Sequence, residues 1–363
     1  SLYGDFFGLD DLFTEKPEVQ DGLIQVFKDM VSDYDIDGFR IDTVKHVNDE
    51  FWEAFGPELE AHAGALGKDD FFMFGEVFSF DVPFLSRFST DLPLDAVLDF
   101  GFQGSARNFA GQSGPTDTLA GFYAADDYYT DVDSNATSLP LFLGNHDIGR
   151  TGLFMQQDNP GATDAELVAR SELAHALMYF GRGMPVVYYG DEQGFTGSGG
   201  DKDARQDMFP SAVADYNDDD LIGTASTPAD DNFDSSHPLY GTIDALAAIR
   251  DAHPALQQGA QIHRYSEGTE GIYAYSRIER TEQVEYVVAV NTSESAKSVS
   301  FAVDTPDTSF DAVWPSGGAA VTSDPSGDLS VGVPALDFVV YRASSPVPTD
   351  ATPDGIAMTG PAP

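Results

Sequence analysis

The chain has 363 residues, 42% of them hydrophobic and 27 of them Phe, enough apolar material for two or three cored domains and too much for a disordered polymer. Its 61 Asp and Glu against 18 Lys and Arg leave a formal charge of −43, which excludes a nucleic-acid partner, whose phosphates need a basic surface. No apolar run reaches the roughly 18 residues of a membrane-spanning helix, and the absence of cysteine removes disulfides, thiolate metal ligands and cysteine nucleophiles together.

In chain order, "KPEVQDGLIQVFKDMVSDY" (16–34) carries Val19, Leu23, Val26, Phe27 and Met30 at helical spacing, and the strand "IDGFRID" (36–42) follows it. "HVNDEFWEAFGPELEAHA" reads as a helix, "FFMFGEV" (71–77) as a strand, 82–89 as a short helix and "AVLDFGF" (96–102) as a strand. A loop rich in Asp and Tyr leads to the strand "LPLFLGNHD" (139–147), a long helix (163–180) and the strand "MPVVYYGDE" (184–192). The Gly- and Asp-rich stretch 193–236 is too long for a plain connector and is a candidate functional loop. A helix at 238–252 closes the alternating part. After "HPAL" (253–256), strands separated by turn signals predict an antiparallel β-sandwich over 257–343. Residues 344–363 have the Pro, Thr and Gly content of a linker or tail. The chain opens on Ser1 without a signal-peptide pattern, and a start further upstream is expected.

Strands alternating with helices predict an α/β protein with a parallel sheet, either a barrel or a doubly wound sheet. Parallel strands are buried on both faces, so a charged residue at a strand's C-terminal end is costly unless it serves a site. Alternation puts Arg40 and Asp42 on one face of their strand with Phe39 and Ile41 on the other. It likewise aligns Phe72, Phe74 and Glu76, and it leaves Asn145 and Asp147 at the tip of a third strand. Three carboxylates, each at the end of a separate parallel strand, fit the place where barrel active sites lie.

Glycoside hydrolysis needs two carboxylates, one ionised and one holding a proton for the leaving oxygen. Arg40, on the face of Asp42, is expected to keep it ionised, and Phe74 and Phe78 give Glu76 the apolar company that raises a carboxyl pKa. Asp42 is therefore the predicted nucleophile and Glu76 the predicted acid/base. Tyr188 and Tyr189 read as interior filling.

"GFRIDTVKHV", "FGEVF", "FLGNHD" and "GMPVVYYGDE", in that order, resemble four motifs of the α-amylase family of glycoside hydrolases, and "FFGLDDLF" (6–13) resembles a further short one. The resemblance implies that 1–256 is the last five-strand portion of a (β/α)8 TIM barrel, followed by a small antiparallel β-sandwich. The first three βα units and an inserted domain of a complete member are missing, so a longer protein is expected. The resemblance makes Asp42 the nucleophile, Glu76 the acid/base and Asp147 a third carboxylate binding sugar hydroxyls. It also puts Arg40, Lys45, His46 and His146 against substrate, together with Asp203 and Arg205 of "GGDKDARQDMF" (199–209). Calcium is the implied cofactor, with the His46 carbonyl as a metal ligand and most of its ligands outside this chain. The implied activity is a retaining endo-hydrolysis of α-1,4-glucans or maltooligosaccharides outside the cell. A maltogenic or debranching hydrolase, an α-glucosidase, a glucanotransferase and an inactive carbohydrate-binding fragment are the alternatives. The acidic surplus, spread over "DYDIDG", "AADDYYTDVD", "ADYNDDD" and "PADDN", reads as a solvated surface suited to a saline habitat, where salt screens self-repulsion.

Overall fold

The computed structural model describes residues 4, 5 and 8–348. In chain order its regular elements are α1 (Pro17–Tyr34), β1 (Gly38–Ile41), α2 (Asp49–Ala65), β2 (Phe72–Gly75), α3 (Val82–Thr90), β3 (Ala96–Val97), α4 (Phe100–Ala106), α5 (Thr116–Tyr123), β4 (Pro140–Phe142), α6 (Thr151–Asp158), α7 (Asp164–Phe180), β5 (Met184–Val186), α8 (Pro238–Ala252) and α9 (Pro254–Gln258). Strands follow: β6 (Ala260–Tyr265), β7 (Ile272–Ile278), β8 (Val284–Asn291), β9 (Lys297–Ala302), β10 (Ser309–Trp314), β11 (Val321–Thr322), β12 (Asp328–Val333) and β13 (Asp337–Pro346). Among the described residues the chain divides into two compact units, one running up to Gly101 with Ala125–Pro140, the other comprising Phe102–Ala124 and the chain from Leu141 to residue 348.

In the first unit, β1, β2 and β3 form a parallel sheet in that order, registered from Gly38↔Phe72 to Ile41↔Gly75 and at Phe74↔Ala96. Strands meet closely at Gly38, where a Cβ would stand 2.2 Å from the Phe72 carbonyl oxygen. The predicted alternation holds: Phe39 packs edge-on against Phe27 of α1 and Phe71, with ring centroids 5.4 and 5.5 Å away, which leaves Arg40 on the opposite face. Trp52 of α2 is buried, and its indole N–H donates to the Val44 carbonyl at 3.2 Å. The apolar stripe of α1 divides. Ile24 and Val31 are buried and Leu23 and Phe27 partly so, but Val26 and Met30 stay exposed. Within the described sheet β1 is an edge strand.

The strand expected over 96–102 is only Ala96–Val97, and from Phe100 the chain is helical. A short apolar run satisfies either period, and tertiary contacts decide which is adopted. The strands expected over 139–147 and 184–192 likewise pair only at Pro140–Phe142 and Met184–Val186. Their remaining residues turn into loops.

In the second unit α7 opens on a side-chain cap: Thr163 Oγ1 accepts from the Glu166 N–H at 3.3 Å, and Glu166 pairs with the buried Arg170. The antiparallel sheet runs β11-β10-β13-β8-β7-β6, and β9 and β12 form a separate antiparallel pair. Strands β7 and β8 are buried along their whole length. The sandwich is thus six strands against two. One core runs through Leu173 and Leu177 of α7, Leu256, Tyr273, Val288, Phe338 and Val331, so the change of pattern near 256 marks a change of element type within a continuous core. Strand β13 extends to Pro346, and Ser344–Pro346, expected as tail, end a strand instead. Residues 349–363 of the expected tail lie outside the described residues, as do Phe6 and Phe7 of the "FFGLDDLF" motif. No described helix is long and apolar enough to cross a membrane.

Candidate active site

Asp42 and Glu76 each follow the last residue of a strand, one step beyond the Ile41↔Gly75 register pair. The ladder continues past them, because the Glu76 N–H donates to the Ile41 carbonyl at 2.7 Å and the Val44 N–H to the Glu76 carbonyl at 3.1 Å. Between these bonds Thr43 takes φ 54, a left-handed conformation that costs a β-branched residue about 1–3 kcal/mol. The turn aims the Thr43 N–H at Glu76 Oε2, 3.1 Å away.

The two carboxyls have different surroundings. The Asp42 side chain is 64% exposed and accepts from Arg40 Nη1. Glu76 is 8% exposed. Burial raises its pKa above the ordinary value and the Asp42 charge adds to that, against the opposing Thr43 N–H, Arg40 and Lys45. Lys45 does not simply extend into solvent: its Nζ donates to the Phe78 carbonyl at 2.5 Å and lies 5.6 Å from the Phe78 ring.

The second unit carries His146, Asp147, Asp203 and Arg205. A tight loop closed by Asn145–Gly149 bonds of 3.0 and 3.2 Å presents His146 and Asp147, and Asn145 Oδ1 accepts from the N–H groups of Asp147 and Ile148 at 2.9 Å each. Asp147 Oδ2 stands 3.2 Å from His146 Nε2, and its Oδ1 stands 3.6 Å from Arg205 Nη2. Arg205 therefore stands beside Asp147. Asp203 turns into its own loop, its N–H bonded to the Gly200 carbonyl at 3.2 Å. Asp201, which the sequence reading missed, donates its N–H to the Asp147 carbonyl at 3.1 Å and pairs with Arg205. Arg150 was also missed.

His46 ends a short helical turn, Val44–His46, and helps line a cleft of about 450 Å³ beside β1 with Leu12, Leu23, Phe27, Phe39 and Trp52. Asp10, Asp11, Thr14, Arg40, Asp42 and Thr43 line the same cleft, and a hard cation such as calcium takes oxygen ligands. Among the described residues no group of three His, Asp or Glu side chains is placed to hold a metal. The calcium implied for His46 is expected to take most of its ligands from outside this chain, and no step is drawn through it.

Residues 1–259 match the family model described as the catalytic domain of alpha amylase. An alpha-amylase of Streptomyces lividans is 48% identical over all 363 residues, which make up 39% of that protein. A cyclomaltodextrin glucanotransferase of Klebsiella oxytoca is 25% identical over 283 residues, 70% of this chain and 39% of that one. Among solved structures, an Anoxybacillus alpha-amylase superimposes with a TM-score of 0.76 at 26% identity, over 94% of this chain and 66% of that one. The chain thus spans about two fifths of the length of these curated relatives. With strand-end carboxylates, the motif order and a family match over more than two thirds of its length all in agreement, this chain belongs to the α-amylase family of glycoside hydrolases.

Proposed function

We propose that the chain carries the catalytic carboxylates of a retaining endo-hydrolase acting on α-1,4-glucosidic bonds of starch and related α-glucans. The observation that carries this reading is the contrast between neighbouring carboxyls: Asp42 exposed and paired with Arg40, Glu76 buried with a raised pKa. In the first step the Asp42 carboxylate attacks the anomeric carbon, the bond to the leaving oxygen breaks, and Glu76 gives that oxygen its proton. In the second, water adds to the glycosyl-enzyme ester as Glu76 takes a proton back, and Asp42 leaves as carboxylate. Two inversions retain the α configuration.

Asp147, steadied by His146 and Arg205, is proposed to bind sugar hydroxyls as positive charge develops on the ring. Lys45 and His46 are proposed to reach the sugar on the leaving-group side, and Asp203 to stand at the substrate's edge. The same reading takes 1–256 as the last five strands of a (β/α)8 barrel and 257–343 as its β domain. Exposed Val26 and Met30 on α1 and the edge position of β1 favour this, since they are what earlier βα units of a longer protein would cover. A polymeric substrate that cannot cross a membrane argues for action outside the cell. A glucanotransferase is the second reading, favoured by the likeness to the Klebsiella protein.

Proton NMR of maltoheptaose with the intact protein tests the proposal. Early α-anomeric products are expected. First-formed β-anomer overturns the retaining assignment, and cyclic or lengthened products favour the glucanotransferase.

A further inference from the structure

Arg150 is fully buried. A guanidinium removed from water costs several kcal/mol; here Nε and Nη1 are spent on holding a loop, and Nη2 is buried without a hydrogen-bond partner among the described residues. Its Nη1 donates to the Tyr189 carbonyl at 2.6 Å and its Nε to Gln206 Oε1 at 2.5 Å, while its Cζ lies 4.7–5.0 Å from the ring centroids of Tyr188, Tyr189 and Phe195. Because a guanidinium only donates, the Gln206 amide is oriented with its oxygen toward Arg150. The Gln206 nitrogen then donates to the Asp203 carbonyl at 2.9 Å and to Asp219 Oδ2 at 2.8 Å. Asp203 is bonded through its N–H to Gly200, and the next residue, Asp201, donates to the Asp147 carbonyl. A Cβ on Gly200 would stand 2.2 Å from that same carbonyl oxygen. Arg205, between Gln206 and the start of this turn, reaches Asp147 Oδ1.

The contacts close into a ring. Asp147 and Arg150 are three residues apart, and the loop 200–206 is fastened to one through Gly200, Asp201 and Arg205 and to the other through Gln206. We propose that Arg150, Gln206 and Gly200 are positioning residues for Asp147: the buried Arg150–Gln206 strut presses the side-chain-free Gly200 turn onto the Asp147 carbonyl and fixes the direction of its carboxylate. This rests on the reading of Asp147 as the substrate-binding third carboxylate. A carboxylate that gains strength only as the sugar becomes positive affects kcat more than KM, and a displacement of about 1 Å costs on the order of 100-fold.

The test is a set of double-mutant cycles in the intact protein, read as kcat and KM on a nitrophenyl maltotrioside. Gln206→Met and Gly200→Ala are each expected to lower kcat by roughly 30- to 100-fold with little change in KM. In an Asp147→Asn background each should cost less than about 3-fold, because the contact it serves is already gone. Undiminished losses in that background overturn the positioning role, as does full kcat in the single variants. If Gln206→Met fails to fold by thermal unfolding, Gly200→Ala, in a half-exposed turn, decides alone. Asp147→Asn separates the two levels: full turnover there overturns the reading of Asp147 and this inference with it, whereas its inactivity beside a neutral Gln206→Met overturns only the inference.

Discussion

Glu76 and Asp42 are the same chemical group at equivalent positions of neighbouring strands, so their proposed division of labour comes from surroundings. Burial favours the neutral form of Glu76, and its acid form is the one that protonates the leaving oxygen. Activity should therefore fall as pH rises through a Glu76 pKa above the ordinary Glu value, and Glu76→Gln should remove that limb of the kcat/KM profile. The same variant should lose about 10²–10⁴-fold on maltoheptaose but far less on α-maltosyl fluoride, whose leaving group needs no proton. Asp42→Asn should abolish turnover of both, since a nucleophile is required for either. Equal losses of Glu76→Gln on the two substrates would remove it as the acid.

At the scale of elements, α7 meets the turn after β5 through two buried groups. His175 and Asp191 face each other with Nε2 and Oδ2 3.9 Å apart. His175 Nδ1 lies 2.7 Å from the Ser171 carbonyl, which accepts its proton, and Thr151 Oγ1 donates to Asp191 Oδ2 at 3.0 Å. Burial pushes the imidazole down to about 4 and the carboxyl up to about 7, so between those values the pair is uncharged. Between about 4 and 6.5 the folded state holds one proton fewer than the unfolded chain at His175, which makes stability rise with pH. From about 4 to about 7 it holds one more at Asp191, which makes stability fall. The two effects offset. His175→Gln should leave the second alone, so urea midpoints should drop, relative to the wild type, as pH goes from about 4 to about 7, by roughly 2–4 kcal/mol in stability. Asp191→Asn should show the opposite slope up to about 6.5. Parallel slopes in the two variants would contradict the assignment.

For the whole molecule the dominant quantity is a net charge of −43. Carboxylates repel over about 10 Å at 0.1 M salt and over a few Å at 1 M, and compaction brings them together. Thermal midpoints should fall on transfer from about 2 M to about 0.1 M KCl, with sodium and potassium chloride acting alike. A midpoint independent of salt would remove the saline-habitat reading. The few cations are disproportionately interior: Arg150, Arg170, Arg182 and Arg277 are among the largest fully buried side chains. Salt should consequently act on the acidic exterior more than on these enclosed guanidinium groups.

The sequence by itself determined the neighbours of Asp42. Strand alternation is local, so Arg40 falls on its face and Phe39 on the other whatever surrounds them, and the order of four motifs named the family before any coordinate. It also placed α1, α7 and α8, whose apolar periods run over several turns. Strand ends were not legible: the 96–102 run had no local feature to stop its pairing at Val97, because a ladder bond exists only where a partner distant in sequence supplies it. Glu76 was assigned as the acid from its Phe neighbours, and only the folded chain decided how far it is buried and that the strained Thr43 turn bonds it. Arg150, Gln206, His175 and Asp191 escaped notice for the same reason: their meaning lies in contacts made across 56 residues in one case and 16 in the other, which no local pattern encodes.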